Sequence, residues 1–241
     1  MEMSELSVNH KAKTLLAKIQ SVKELALNVN SYVVEIAPGV EFNFSAGQLA
    51  LIRKEGKSSG IGRAYSIATS PQELPRLEFC IRLYPDGRVS SYLKGVKPGD
   101  SLLLQAPFGR FVLPTSVTTH QPYIFVATGT GIAPIRSMIR HLLASGTVHP
   151  LMLIHGTRSE SNLYYRAEFD ELANKNKITY LKTLSQADTS WTGATGYVTE
   201  LMSANLDQSA HYFLCGNPEM VRDAALLLTE TGIKAVTIEK W

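Results

Sequence analysis

Cysteine is scarce in this chain: of 241 residues only Cys80 and Cys215 are cysteines, and neither belongs to a Cys-x-x-Cys pair. That excludes a disulfide framework and the ligand spacing of a zinc or iron–sulfur centre, so no metal site is expected. Long apolar runs are missing as well. No stretch reaches eighteen apolar residues, and the opening MEMSELSVNHKAK has no apolar segment before a cleavage site. Neither a membrane span nor a secretory leader is read from it, and the expected location is cytoplasmic. Strong charge is also absent: a formal net charge of +3 gives no case for nucleic acid. The modest excess sits early, in Lys11, Lys13, Lys18, Lys23, Arg53, Lys54 and Lys57. It fits either a solvated face or a docking patch for an acidic partner.

What is present is an ordinary globular composition, 44% hydrophobic and 19% charged, long enough for two domains. Between Lys13 and Leu113 the apolar residues fall in short segments: TLLAKIQSVKEL, SYVVEIAP, QLALIRK, RAYSIATS, RLEFCIRLY and DSLLLQAP. Turn clusters such as YPDG and VKPGD separate them, which predicts an all-β antiparallel first half. Beyond VLPTSVTTHQP the pattern changes. PYIFVATG and HPLMLIHGT are continuous apolar runs with a helical period, IRSMIRHLLASG, between them. Alternating strands and helices then continue to AVTIEKW, the pattern of a parallel sheet. Two domains are expected, residues 1–115 and 116–241.

Two loops in the second half join an apolar strand to a helix. In the first, Thr128, Gly129, Thr130, Gly131 and Pro134 fall where glycines let a backbone approach a ligand and a helix N-terminus offers free N–H groups to a pyrophosphate. Pro134 suits the first helical turn, where a missing N–H does no harm. The second loop, Cys215-Gly216-Asn217-Pro218-Glu219-Met220, stands at an equivalent position. Taken alone, Cys215 reads as a small buried hydrophobe.

Together with Arg63-Ala64-Tyr65-Ser66, Gly87-Arg88-Val89-Ser90-Ser91 and Pro107-Phe108-Gly109, these loops resemble the ferredoxin–NADP reductase superfamily, with the bacterial ferredoxin (flavodoxin) NADP reductase type the nearest pattern. The likeness runs in order along almost the whole chain and ends on the aromatic Trp241. It implies a six-stranded antiparallel β-barrel that binds FAD, followed by an α/β parallel-sheet domain for NADPH or NADH. By the same likeness Arg63 pairs with an FAD phosphate, Tyr65 packs on the isoalloxazine with Ala64 beside it, and Ser66 hydrogen-bonds near flavin N5. Arg82 and Tyr84 are directed to the ribityl and adenosine side. Gly87, Val89, Ser90 and Ser91 hold the pyrophosphate. Thr128 to Gly131, Pro134, Arg158, Cys215, Gly216 and Met220 form the coenzyme site. Ser66, Cys215, Glu239 and Trp241 surround the hydride path, with Trp241 stacking where the nicotinamide must go.

The sequence departs from the NADP-using pattern at two of three expected cations. Arg158 is present in HGTRSES, but Ser185-Gln186 and Thr195-Gly196-Tyr197 put Gln186 and Tyr197 where arginines are expected. The resemblance thus implies an FAD-dependent NAD(P)H reductase that passes electrons singly to a ferredoxin or flavodoxin, acidic carriers, and acts as a monomer, with coenzyme preference open. A free-flavin or ferric-siderophore reductase and an electron-transfer subunit of a larger complex remain as alternatives.

Overall fold

β1 (Lys13–Ala26) alternates strictly along its first half, with Leu15, Ala17 and Ile19 buried and Thr14, Leu16 and Lys18 exposed, as a strand with one wet face requires. The computed structural model describes residues 11–53, 62–115 and 120–240. β2 (Val29–Ile36), β3 (Leu49–Arg53), β4 (Arg63–Ser66), β5 (Arg76–Arg82) and β6 (Ser101–Phe108) join β1 in a six-stranded antiparallel sheet of order β4-β3-β6-β1-β2-β5. An isolated bridge between Ile67 and Phe79 and a 2.8 Å bond from the Ala68 N–H to the Glu78 carbonyl connect the two edges. The sheet therefore closes into a barrel, which removes its free edges. A short helix, α1 (Arg88–Gly95), lies between β5 and β6.

The second half carries β7 (Tyr123–Thr128), α2 (Ile132–Ala144), β8 (Leu151–Thr157), α3 (Arg166–Asn174), β9 (Thr179–Leu184), β10 (Ala194–Thr195), α4 (Val198–Ser203), β11 (His211–Gly216), α5 (Pro218–Glu230) and β12 (Val236–Lys240). Its strands are parallel, in the order β10-β9-β8-β7-β11-β12. The two-residue β10 has no counterpart in the apolar pattern, because it is too short to carry a period. The unbroken apolar run of β7 is explained by cover on both faces. Tyr123, Phe125 and Ala127 enter one core with α2, while Ile124 and Val126 enter another with α4 and α5.

β5 divides in the same way between the two halves. Leu77, Phe79 and Ile81 point into the barrel core, whereas Cys80 belongs to the core built on β7 and α2. Ala46, Ala68 and Phe111 from the barrel side join that second core, so the two sheets share apolar cover.

Candidate functional site

β4 stands at one end of the strand order, beside the closure of the barrel, and carries the Arg63–Ser66 motif, paired residue by residue with β3. Arg63 is exposed, and its side chain makes no hydrogen bond or ion pair among the described residues. Tyr65 is half-buried, and desolvation pushes its hydroxyl up to about 12 against the opposing charge of Arg63. Ser66 is buried, and its Oγ has no hydrogen-bond partner among the described residues. An orphaned hydroxyl in a buried place is costly unless something else supplies its partner.

The Tyr84–Ser91 segment turns into α1. Ser90 Oγ accepts the Tyr84 N–H at 3.0 Å, and a Cβ at Gly87 would stand 2.7 Å from that oxygen, so glycine is the residue the turn admits. Val89 and Ser90 are buried and hold the turn to the barrel, while Tyr84 and Ser91 face outward. The first N–H groups of α1 remain available to an anion.

In the parallel sheet the chain runs from β7 outward through β8 to β9 and β10, then returns to β11 on the other side of β7. This is the topological switch point, where the carboxyl ends of adjacent strands leave a crevice. Both glycine loops stand there. Gly129–Gly131 forms a tight 3-10 turn leading into α2, and Pro134 lies in the first turn of that helix. The loops are fastened to each other: Thr128 Oγ1 accepts the Asn217 N–H at 3.0 Å, and Asn217 caps α5 by accepting the Glu219 N–H. A Cβ on Gly131 would lie 2.3 Å from the Cys215 carbonyl oxygen, and one on Gly216 would lie 2.2 Å from Thr128 Oγ1. Thr130 is half-buried, and Met220 leans on the core beneath α5.

Ala127, Cys215 and Glu239 are register partners across β7, β11 and β12, forming a row at the sheet's carboxyl edge. Cys215 is fully buried. Glu239 Oε2 is buried without a hydrogen-bond partner among the described residues, and burial pushes this carboxyl up to about 7. Trp241, the residue that follows β12, lies outside the described residues, as do Lys54 and Lys57.

Arg82 stands apart from the Arg63 motif. A Cβ at Gly129 would be 3.9 Å from its Nη2, and the same nitrogen donates to Tyr164 Oη at 3.4 Å. The barrel thereby extends a cation to the Gly129–Gly131 loop. Arg158 is exposed just after β8, and its carbonyl accepts the Gln186 N–H at 2.8 Å, which brings those two residues together. Gly196 donates its N–H to the Leu184 carbonyl and would place a Cβ 2.5 Å from Glu200 Oε2. Tyr197 is 70% exposed next to that carboxylate.

Sequence reasoning missed the polar contacts that join the halves: Tyr164 to Arg82, Tyr165 to Glu78, and Arg136 to Glu78. Their partners are 82, 87 and 58 residues apart, so no local spacing announces them.

The donor set fits the groups that the two halves imply. Among the described residues Arg63 is an unpaired guanidinium, Ser66 an orphaned hydroxyl, and α1 a helix start with open N–H groups, as a flavin with a diphosphate needs. The switch-point loops fit a second diphosphate. Comparison with known proteins points the same way. Residues 16–113 match the oxidoreductase FAD-binding domain and residues 125–225 the oxidoreductase NAD-binding domain. Ferredoxin–NADP reductase B of Sorangium cellulosum is 35% identical over 219 residues, covering 87% of this chain and 89% of that protein. The Amycolatopsis cytochrome P450 reductase GcoB superposes with a TM-score of 0.86 at 25% identity over 96% of this chain and 71% of its own. A ferredoxin NADP+ reductase from Neisseria gonorrhoeae with bound FAD and NADP shares the fold at a TM-score of 0.81 and 24% identity, covering 95% of this chain and 99% of that one.

Proposed function

Since the chain belongs to the ferredoxin–NADP reductase family and is an FAD- and NAD(P)-binding oxidoreductase, we propose that it takes reducing equivalents from a nicotinamide coenzyme at the crevice between its two sheets and delivers electrons singly to a ferredoxin or flavodoxin. The observation that carries this reading is the pair of buried oxygens without a hydrogen-bond partner among the described residues, Ser66 Oγ from the barrel and Glu239 Oε2 from the parallel sheet. FAD, when bound, accepts a hydride and gives back its electrons one at a time.

The remaining work belongs to the chain. Arg63 and the first turn of α1 bind the flavin diphosphate, a task for which a guanidinium fork and open N–H groups are suited. Tyr65 supplies a flat apolar face and Ser66 a hydroxyl for the ring edge. Gly129 to Gly131 and Gly216 let the backbone close on the coenzyme diphosphate, with Arg82 adding charge from the barrel side. Glu239, pushed up to about 7 by burial, is only about half ionised at pH 7 and so holds a proton at the crevice for part of the time, with less than a full negative charge beside the dinucleotide. Trp241, two residues on, is the proposed stacking partner that the nicotinamide displaces.

The coenzyme reading favours NADH or weak discrimination. Arg158 is exposed and bonded through its carbonyl to Gln186, whose side chain is neutral, while Glu200 lies against Gly196 beside Tyr197, so a 2′-phosphate bound by Arg158 gains few charged hydrogen bonds. Lys13, Lys18 and Lys23, exposed along β1, support an acidic carrier as acceptor. The test is an absorbance spectrum of the purified protein, anaerobic titration with NADH and then NADPH, and transfer to an added ferredoxin. Colourless protein that reduces added free flavin would replace this reading with a free-flavin reductase.

A further inference from the structure

α2 starts at the coenzyme loop and lies with one face against the barrel, and that face is polar where it touches the strand segment behind Ser66. Arg136, 5% exposed, donates from Nη1 to the Ala68 carbonyl at 3.2 Å and to Glu78 Oε2 at 2.8 Å, and from Nε to Glu168 Oε2 at 2.8 Å. Its neighbour Ser137, fully buried, donates to the Thr69 carbonyl at 2.6 Å. Two successive carbonyls just past the Arg63–Ser66 motif are therefore held by two successive residues of the coenzyme helix.

We propose, on the basis of the function inferred above, that Arg136 and Ser137 are positioning residues that fix the coenzyme loop relative to the flavin-facing strand and so set the approach distance for hydride transfer.

The surroundings suit a device that specifies one arrangement. Glu168 also accepts from Arg140 at 2.6 Å, and Arg140 reaches back to both oxygens of Glu73 on the barrel side, where Arg76 closes the chain of charges at 2.7 Å. Three guanidinia thus meet three carboxylates drawn from β5, the segment before it, α2 and α3. Burial pushes Glu78 up, yet the Arg136 charge and hydroxyl donors from Ser31 and Tyr165 hold it below the usual carboxylate range. The Tyr165 ring packs on the Arg136 guanidinium at 4.1 Å, and Tyr165 itself sits at φ 60, a strained conformation that persists only where neighbours dictate it.

Adhesion alone does not call for this. The shared apolar core already joins the halves, and a buried ion network adds little net stability over apolar packing, whereas it rejects every arrangement that leaves a charge unpaired. A slide of α2 by one residue would carry Gly131 about 1.5 Å along the helix axis. Reacting atoms must come to within about 3 to 3.5 Å, and a misplacement of about 1 Å can cost on the order of a hundredfold in rate. A lysine at 136 could not serve three acceptors from three elements, because its ammonium lacks the rigid fork.

The experiment uses flavin-loaded Arg136→Lys and Ser137→Ala with whichever coenzyme reduces the wild type. The limiting rate of flavin reduction in anaerobic stopped flow should fall at least about tenfold in the first and a few-fold in the second, while coenzyme Kd and flavin content stay within about twofold. Amide exchange should rise together in residues 66–70 and 129–136, a readout independent of turnover. Unchanged reduction rates with only a lower melting temperature would overturn the proposal. If Arg136→Lys does not fold, Ser137→Ala decides by the same criteria. A wild type reduced by neither coenzyme would instead overturn the proposed function, and this inference with it.

Discussion

A Cβ at Gly109 would stand 3.9 Å from Oε1 of Glu239, so the Pro107–Gly109 turn of the barrel and the last strand of the parallel sheet meet at one carboxylate. Burial raises that carboxyl from 4.5 to about 7. The folded chain then holds the proton more tightly than the unfolded chain, and stability falls as pH rises from about 4.5 through 7. The full shift corresponds to at most about 3 to 4 kcal/mol, less where water reaches the carboxylate. Glu239→Gln should melt higher than wild type at pH 8 and together with it near pH 4.5 in the ligand-free chain. Glu73 and Glu78, held below their usual range, contribute the opposite slope in both proteins, so the difference between the two melting curves isolates Glu239. Parallel curves across that window would mean the carboxyl is not desolvated.

The glycine loops give a steric prediction. Gly131 has ordinary helical angles, φ −61 and ψ −12, so space rather than conformation excludes a side chain there. The obstruction is the Cys215 backbone, which no rotamer can move aside. Gly131→Ala should cost about 1 to 3 kcal/mol in thermal or urea unfolding and weaken coenzyme binding, since the loop must lift off β11. Gly216→Ala should cost as much or more, because φ 148 adds strain to the clash with Thr128. Gly95→Ala is the control: nothing lies within 4 Å of its Cβ, and the change should be neutral or slightly stabilising.

How far the sequence disclosed this arrangement depends on the range of each signal. The apolar periods of β1 and β7 and the turn clusters between strands are local, and an antiparallel first half and a parallel sheet follow from them, whereas closure into a six-stranded barrel comes only from the family resemblance. The glycine loops are legible because a strand, a tight turn and a helix N-terminus must be adjacent in sequence. β5 shows the limit. Leu77, Phe79 and Ile81 announce a strand, but the alternate residues Glu78, Cys80 and Arg82 look like an ordinary solvent face. In the structure that face is covered by Arg136, Tyr164 and Tyr165. A cover supplied from more than fifty residues away leaves no periodic trace, and neither does the two-residue β10.

Flavin retention tests the barrel half. Arg63 is exposed and unpaired among the described residues, so replacing it should disturb neither packing nor any ion pair. Arg63→Ala should melt within about 0.5 kcal/mol of wild type when both are flavin-free. Loss of one or two charge-assisted hydrogen bonds to a phosphate, about 1.5 to 3 kcal/mol each, should weaken FAD binding at least tenfold and leave the purified protein pale. Full flavin occupancy with unchanged affinity would remove Arg63 from the site.

Coenzyme choice tests the other half. The Gln186 N–H bonds the Arg158 carbonyl, and Gly196 bonds Leu184, so side chains introduced at 186 and 197 start from backbone already anchored beside Arg158. Tyr197 is 70% exposed, and its replacement opens no cavity. Gln186→Arg with Tyr197→Arg should raise the NADPH-to-NADH ratio of kcat/KM by about ten- to a hundredfold, the scale of one charged hydrogen bond to phosphate at about 1.5 to 3 kcal/mol. Most of the change should appear in KM for NADPH, because a 2′-phosphate distant from the reacting atoms is bound alike in the ground and transition states. Glu200 lies against Gly196, so its charge would oppose a phosphate held by an arginine at 197. Adding Glu200→Gln to the double variant should therefore raise the ratio further, and more at low salt than at high, as expected for a partly screened charge. A wild type already strongly selective for NADPH would show that Arg158 and the hydroxyls of Ser159 and Ser161 suffice, and would sink the coenzyme argument.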